Sequence, residues 1–168
     1  MIQACSLPTG SETELLISRL LPAPRELVFR AWTDPIHLGR WWGHRNFTTT
    51  VLELDLRVGG ALRLEMRAPD GTVYGCHGTY REIVPPKRLV LTGPPECDHA
   101  CGAGIPPRST VIITFEERGS ETLLSLLTRF ASLEDLQAAA ASGYELGWTE
   151  TFAHLDELLA DSANLPRA

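Results

Sequence analysis

Residues 30–43 read RAWTDPIHLGRWWG and contain three of the four tryptophans in this chain of 168 residues. Asp34 and Pro35 split the segment, because the residue before a proline avoids the α conformation and so ends a helix. The same pair can begin the next helix as its cap and first residue. Gly39 or Gly43 then ends this second helix. The segment therefore predicts two short helices that carry most of the indole surface of the chain.

The pattern around these helices is typical of strands. Residues 13–21 are apolar between turn residues and predict a first strand before the helices, and from residue 48 apolar and polar side chains alternate. Alternation of this kind places one apolar face of an antiparallel sheet against a core and turns Arg63 and Glu65 to solvent. The residues that we expect on the apolar face are Leu52, Leu54, Leu62, Leu64, Met66, Val111, Ile113, Phe115, Leu124 and Leu126.

From Ser132 onward the apolar pattern becomes helical. Apolar residues recur every three or four positions and predict one helix of about seven turns with a single apolar stripe. That stripe must be buried against the apolar face of the sheet. The stripe consists of Leu133, Leu136, Ala140, Tyr144, Trp148, Phe152, Leu155 and Leu159.

The whole pattern predicts one α+β domain. A curved antiparallel sheet of six or seven strands surrounds the long C-terminal helix, and the two short helices lie between strands 1 and 2. We expect the domain to span residues 13–160, with a flexible segment at 1–12 and a flexible tail at 161–168.

Composition restricts the class of partner. The formal net charge is -6 and the basic residues are scattered, which argues against nucleic acid, whose phosphates need clustered Lys and Arg. No apolar run reaches the roughly 18 residues of a membrane span. The N-terminal residues lack the features of a signal peptide, so we expect a cytoplasmic protein whose four cysteines are free thiols. We predict no cofactor, and a homodimer is an open alternative to a monomer.

Several motifs resemble one known family. These are APRELVFRAWTDPIHLGRWWG at 23–43, VIITFEE at 111–117 and GWTETFAHLDELLA at 147–160. Together they resemble the bacterial relatives of the activator of Hsp90 ATPase, in the START-like, Bet v 1-like helix-grip superfamily. The resemblance implies a cavity for apolar ligands between sheet and helix. Eukaryotic co-chaperones of that name carry an additional N-terminal domain for which this chain has no room, so we do not expect Hsp90 activation.

The first functional hypothesis is therefore binding of a small hydrophobic molecule in a cavity of roughly 300 to 1,000 Å³. Trp148 follows Gly147 on the apolar stripe and is the strongest single candidate for the cavity wall. Trp41 and Trp42 point about 100° apart on a helix, so they cannot both face the ligand. The candidate pocket residues are Trp41, Trp42, Phe47, Leu64, Met66, Tyr74, Tyr80, Phe115, Phe130, Tyr144, Trp148 and Phe152.

Two other functional classes stay open. One is a cavity enzyme, similar to a polyketide cyclase, that uses Tyr74, Tyr80, His44 or Glu145. The other is a co-chaperone-like or regulatory protein that binds partners outside the cavity. Polar groups clustered in the pocket would favour the enzyme, and a large exposed apolar patch would favour the interaction protein. We favour a binding protein over an enzyme.

The segment ECDHACG at 96–102 raises the question of a metal site. Cys97, His99 and Cys101 are zinc-ligand types, but Cys-x-His-x-Cys is not a usual zinc spacing and no second ligand pair is adjacent. We therefore predict a polar loop without zinc.

Overall fold

The structure of the chain is a computed structural model that describes residues 5–7, 12–95 and 104–161. The elements, in chain order, are β1 Cys5–Leu7, β2 Glu14–Leu21, α1 Arg25–Thr33, α2 Pro35–Trp41, β3 Thr48–Leu54, β4 Ala61–Arg67, β5 Val73–Val84, β6 Arg88–Thr92, β7 Thr110–Arg118, β8 Glu121–Arg129, α3 Leu133–Ala141 and α4 Tyr144–Ala160.

All the strands join one antiparallel sheet in the order β1-β2-β8-β7-β6-β5-β4-β3. Helices α1 and α2 lie between the first two long strands, β2 and β3, and α4 packs along the apolar face. The α+β helix-grip class is thus confirmed. The sheet has eight strands rather than six or seven, because Cys5–Leu7 pairs with β2 as a short edge strand inside the segment expected to be flexible. No helix in the described ranges is long and apolar enough to cross a membrane.

Asp34 acts at the junction of α1 and α2 as its sequence context predicts. Its backbone is extended, which stops α1, and its carboxylate accepts hydrogen bonds from the backbone amides of Ile36 at 2.9 Å and His37 at 3.4 Å. These are donors that the first turn of a helix leaves unpaired. A single residue therefore ends one helix and caps the next, and this turn brings the tryptophans of both helices together.

The predicted seven-turn helix is wrong, because the chain forms two helices there. Gly143 has φ +83°, a left-handed conformation that glycine adopts without steric cost, and it separates α3 from α4. Helix α3 buries none of its residues, and Leu133 at its start is 43% exposed. Only the part of the stripe from Tyr144 onward, in α4, is buried.

The predicted apolar face is present with one error. Leu52 is 46% exposed, because a bulge shifts the register of β3 between Val51 and Glu53. Val51 therefore pairs with Leu64, and the extra residue turns Leu52 outward. Leu54 is half-buried, and the other eight residues predicted for this face are buried: Leu62, Leu64, Met66, Val111, Ile113, Phe115, Leu124 and Leu126.

His37 is the least well satisfied polar side chain of this region. It is fully buried on α2, and neither ring nitrogen has a hydrogen-bond partner among the described residues. Burial lowers the pKa of His37 below 6.5, and the nearby Asp34 carboxylate offsets only part of this effect. The imidazole is therefore held neutral inside the fold.

The bulge in β3 predicts unequal effects of two leucine substitutions. Leu64→Ala removes a side chain that is 1% exposed and should lower the free energy of unfolding by about 2–5 kcal/mol. Leu52→Ala should change it by no more than about 0.5 kcal/mol, as for other exposed positions. Urea denaturation measures both. Equal losses of unfolding free energy in the two variants would contradict the outward position of Leu52 at the bulge.

The buried imidazole predicts a loss of stability in mild acid. The pKa of His37 is lower in the folded state than in the unfolded chain, where it is 6.5. The free energy of unfolding is therefore unaffected by this group above pH 6.5. Stability then falls as the pH drops from 6.5 toward the folded-state pKa, because the unfolded chain binds the proton first. His37→Leu should reduce this dependence in urea denaturation between pH 7 and 5, whereas the exposed control His77→Gln should keep it. An unchanged dependence in His37→Leu would contradict this assignment.

Candidate functional site

Trp32 lies at the centre of an aromatic cluster that joins α1, α2 and α4. Its ring stacks on Trp148 of α4, with centroids 6.0 Å apart and planes at 15°. It also meets Trp41 edge-on at 4.7 Å and Trp42 at 5.7 Å. All four rings are at most 4% exposed. The tryptophans of the 30–43 segment are therefore interior residues, packed against the helix that the sheet surrounds.

Hydrogen bonds fix the positions of these rings. The Trp41 Nε1 donates to the Ala31 carbonyl at 2.9 Å, which ties α2 back onto α1. The Thr49 hydroxyl of β3 donates to the Trp42 carbonyl. The buried Thr151 hydroxyl of α4 donates to the Gly43 carbonyl at 3.2 Å. The end of α2 is thus attached to both the sheet and the long helix.

Beside the cluster lies an enclosed cavity of about 10 Å³. A volume of this size holds about one water molecule. It is far smaller than the 300 to 1,000 Å³ expected from the sequence. Nearly all of its lining is apolar and comes from α1, the end of α2, strands β4–β7, the segment before β7 and α4. The lining residues are Trp32, Trp42, Leu62, Tyr80, Leu89, Leu91, Ile105, Val111, Ile113 and Trp148.

Ile105 explains why the cavity is so small. Its side chain is 6% exposed and packs on β5 at Gly78, where even a Cβ atom would lie 2.6 Å from the Ile105 Cδ1. The preceding carbonyl, of Gly104, accepts a hydrogen bond from Trp148 Nε1 at 3.2 Å. A residue from outside the regular elements thus fills the space between sheet and α4. Apolar periodicity does not reveal this residue, because Ile105 is a lone apolar residue in a proline- and glycine-rich segment.

One polar atom in the lining is a buried hydrogen-bond donor without a partner among the described residues, namely the Trp32 Nε1. The Trp148 Nε1 donates to the Gly104 carbonyl. Tyr80, also in the lining, is 1% exposed, and burial raises the pKa of its phenol above the usual value. The cavity therefore combines apolar walls with one unpaired indole donor.

The remaining predicted pocket residues lie away from this lining. Tyr144 is buried and hydrogen-bonded to Thr128 at 2.7 Å, and its ring packs on Phe130 at 5.7 Å. Phe47 and Tyr74 are half-buried and stack with centroids 6.0 Å apart. The others belong to the buried core: Leu64, Met66, Phe115 and Phe152.

An open groove of about 430 Å³ lies on the outside, between the end of α2 and the last turns of α4. Trp41 and Phe47 contribute to its wall. Its polar lining has both signs of charge. The lining residues are Gly39, Arg40, Trp41, Trp42, His44, Arg45, Asn46, Phe47, His154, Glu157, Leu158 and Asp161.

The candidate catalytic residues do not share one site. His44 lines the outer groove and pairs with Glu150 at 3.1 Å, whereas Tyr80 lines the enclosed cavity. Glu145 is exposed on α4. The candidate zinc ligands Cys97, His99 and Cys101 lie outside the described residues, so the absence of zinc there stays a prediction.

Comparison with known proteins agrees with this fold. Protein Ms6760 from Mycobacterium smegmatis is 25% identical with a TM-score of 0.80, and the alignment covers 95% of this chain and 97% of that one. Protein NE0264 from Nitrosomonas europaea is 25% identical with a TM-score of 0.80, covering 94% and 100%. Protein CV1439 from Chromobacterium violaceum is 28% identical with a TM-score of 0.70, covering 87% and 96%.

A search of curated proteins finds no match to the sequence. The family model described as activator of Hsp90 ATPase homolog 1-like protein matches residues 22–160, which include α1, α2, β3–β8 and both C-terminal helices. The chain therefore belongs to the activator of Hsp90 ATPase homolog 1-like family.

Proposed function

We propose that this protein binds a small apolar molecule between the sheet and α4, in the volume that the Ile105 side chain fills in this structure. The observation that carries the proposal is the enclosed cavity walled by Trp32, Trp42 and Trp148. Aromatic and aliphatic walls with few polar groups are typical of sites for apolar ligands. The family fold is consistent with a ligand cavity at this place.

The size of Ile105 sets the size of the ligand. A cavity left by one buried aliphatic side chain is on the order of 150 Å³ in a well-studied case, which is enough for benzene. Withdrawal of Ile105 also breaks the hydrogen bond from Trp148 to Gly104, which contributes about 0.5–1.5 kcal/mol. Withdrawal also exposes the buried Ile105 side chain, which costs about 1.5–3 kcal/mol, so that only part of the energy of burying a ring-sized apolar ligand contributes to affinity. The proposed ligand is thus a molecule of about one ring.

The other two hypotheses receive less support from the site. A cavity enzyme needs several positioned polar groups, whereas this lining offers one hydroxyl and indole donors. Large exposed apolar side chains occur on α2, β3, β5, α3 and α4 and in the turn after β3, so they are distributed over the chain: Ile36, Leu52, Leu56, Val58, Val84, Leu133 and Leu146. The cytoplasmic location and the homodimer stay predictions.

The proposal predicts tighter binding when Ile105 is shortened. Toluene should bind the wild-type chain weakly, since part of its binding energy moves the Ile105 side chain aside. Ile105→Ala removes that cost and should bind toluene more tightly. Ile112→Ala is the matched control, because Ile112 is 7% exposed, against 6% for Ile105, and does not line the cavity. Isothermal titration calorimetry measures all three affinities.

Two outcomes would contradict the proposal. One is that neither the wild-type chain nor Ile105→Ala binds toluene. The other is that only the variant binds, since the native side chain would then not move aside. Native mass spectrometry of protein purified from its own cells adds an independent measurement, because a retained natural ligand would appear as an added mass that Ile112→Ala also carries.

A further inference from the structure

The segment that carries Ile105 is held from the outside of the molecule as well as from the cavity. Residues 104–109 lead into β7, and we call them the Ile105 segment. Arg108 lies near the end of this segment, and its backbone amide donates to the Pro94 carbonyl at 2.8 Å. Its φ angle is +57°, a left-handed conformation that residues other than glycine rarely adopt. Contacts of the Arg108 side chain therefore have to offset backbone strain.

Those contacts connect the Ile105 segment to helix α3. The Arg108 Nη2 and Nε donate to the two carboxylate oxygens of Asp135 at 2.7 and 3.3 Å. The Arg108 Nη1 donates to the Pro95 carbonyl at 3.0 Å. A guanidinium that binds both oxygens of a carboxylate forms a stronger and more directional pair than a single contact does. One side chain thus joins the chain that leaves β6, the Ile105 segment and α3.

Helix α3 is held less firmly than the elements around it. None of its residues is fully buried, and Leu136 and Ala139 are its half-buried contacts with the core. It joins α4 through Gly143, whose backbone is left-handed. Elements with few buried contacts open at a lower cost than the core does. The ion pair therefore attaches the Ile105 segment to an element that can yield.

We propose that the ion pair between Arg108 and Asp135 is a latch that keeps Ile105 in the cavity and opens when a ligand enters. The proposal rests on the proposed function of the same cavity. Ile105 lies between two contacts, the inner one from Trp148 to the Gly104 carbonyl and the outer one at the latch. Arg108 is a positioning residue, because it acts on the site through Ile105.

The expected effect on affinity follows from the stability of the closed state. An ion pair as exposed as this one, with side chains 49% and 18% exposed, changes an equilibrium by at most about fivefold. A ligand that binds only the open chain has its affinity reduced by the fraction of chains that are closed. Loosening the latch increases the open fraction, so the affinity should rise by the same factor.

Toluene titrated by calorimetry into the full chain tests the latch. Arg108→Gln should bind toluene about two- to fivefold more tightly than the wild-type chain does. Asp135→Asn should have the same effect, and the double substitution should add nothing, because each change removes the same ion pair. With Ile105→Ala, no side chain has to be released, so adding Arg108→Gln should leave the affinity unchanged. A purely structural role of the pair would not depend on Ile105 in this way.

Arg129→Gln is the matched control. The Arg129 Nε pairs with the Glu14 carboxylate at 2.9 Å and joins β8 to β2. The side chains of this pair are 58% and 17% exposed, close to those of the latch. Its loss should leave toluene affinity at the wild-type value.

The outcomes separate this inference from the proposed function. Urea denaturation establishes that each variant is folded, and Asp135→Asn provides the test by itself if Arg108→Gln does not fold. The latch is overturned, while the apolar site stands, if the wild-type chain binds toluene and the folded variants bind it no more tightly. An equal gain with and without Ile105→Ala also overturns it, since the pair would then not act through Ile105. If no chain binds toluene, the proposed function fails and the inference falls with it.

Discussion

The stacking of Trp32 on Trp148 is the contact on which the rest of this structure depends. It joins α1, which follows the first long strand, to α4, which comes at the end of the domain, so that residues more than a hundred positions apart meet face to face. Trp41, Trp42 and Phe152 close around the same pair. Aromatic pairs add about 0.5–1.5 kcal/mol beyond the area they bury. A small chain thus concentrates much of its packing energy where α1, α2 and α4 meet.

This arrangement reconciles a tightly packed interior with a binding site. Packing at close to crystal density leaves little free volume in any protein core, and here the free space is about the size of one water molecule. The tryptophan walls come from α1, the end of α2 and α4, and their rings pack on one another. Ile105, by contrast, belongs to no helix or strand. The rigid part of the site is its wall, and the replaceable part is the side chain that fills it.

The sequence predicted what depends on local pattern and missed what depends on single backbone conformations. Alternation in β4, β7 and β8 identified their buried faces, because the pleat fixes which side each residue occupies. The outward position of Leu52 follows from a one-residue bulge that leaves no trace in the pattern. The break at Gly143 was hidden because the apolar spacing continues across it. Ile105 could not be found from periodicity, since its position depends on contacts with distant Gly78 and Trp148.

Buried polar groups that lack a hydrogen-bond partner lower the stability of this fold. In most of the core they are satisfied, as the Thr128–Tyr144 pair and the Thr122 hydroxyl bonded to the Ala23 carbonyl show. The unsatisfied ones named here, the His37 imidazole and the Trp32 Nε1, lie on α2 and α1. Each costs free energy that an apolar residue of the same shape would not. Both groups lie in the helix pair between β2 and β3, and Trp32 also lines the cavity. A ligand atom that accepts a hydrogen bond from the Trp32 Nε1 would recover part of this free energy on binding.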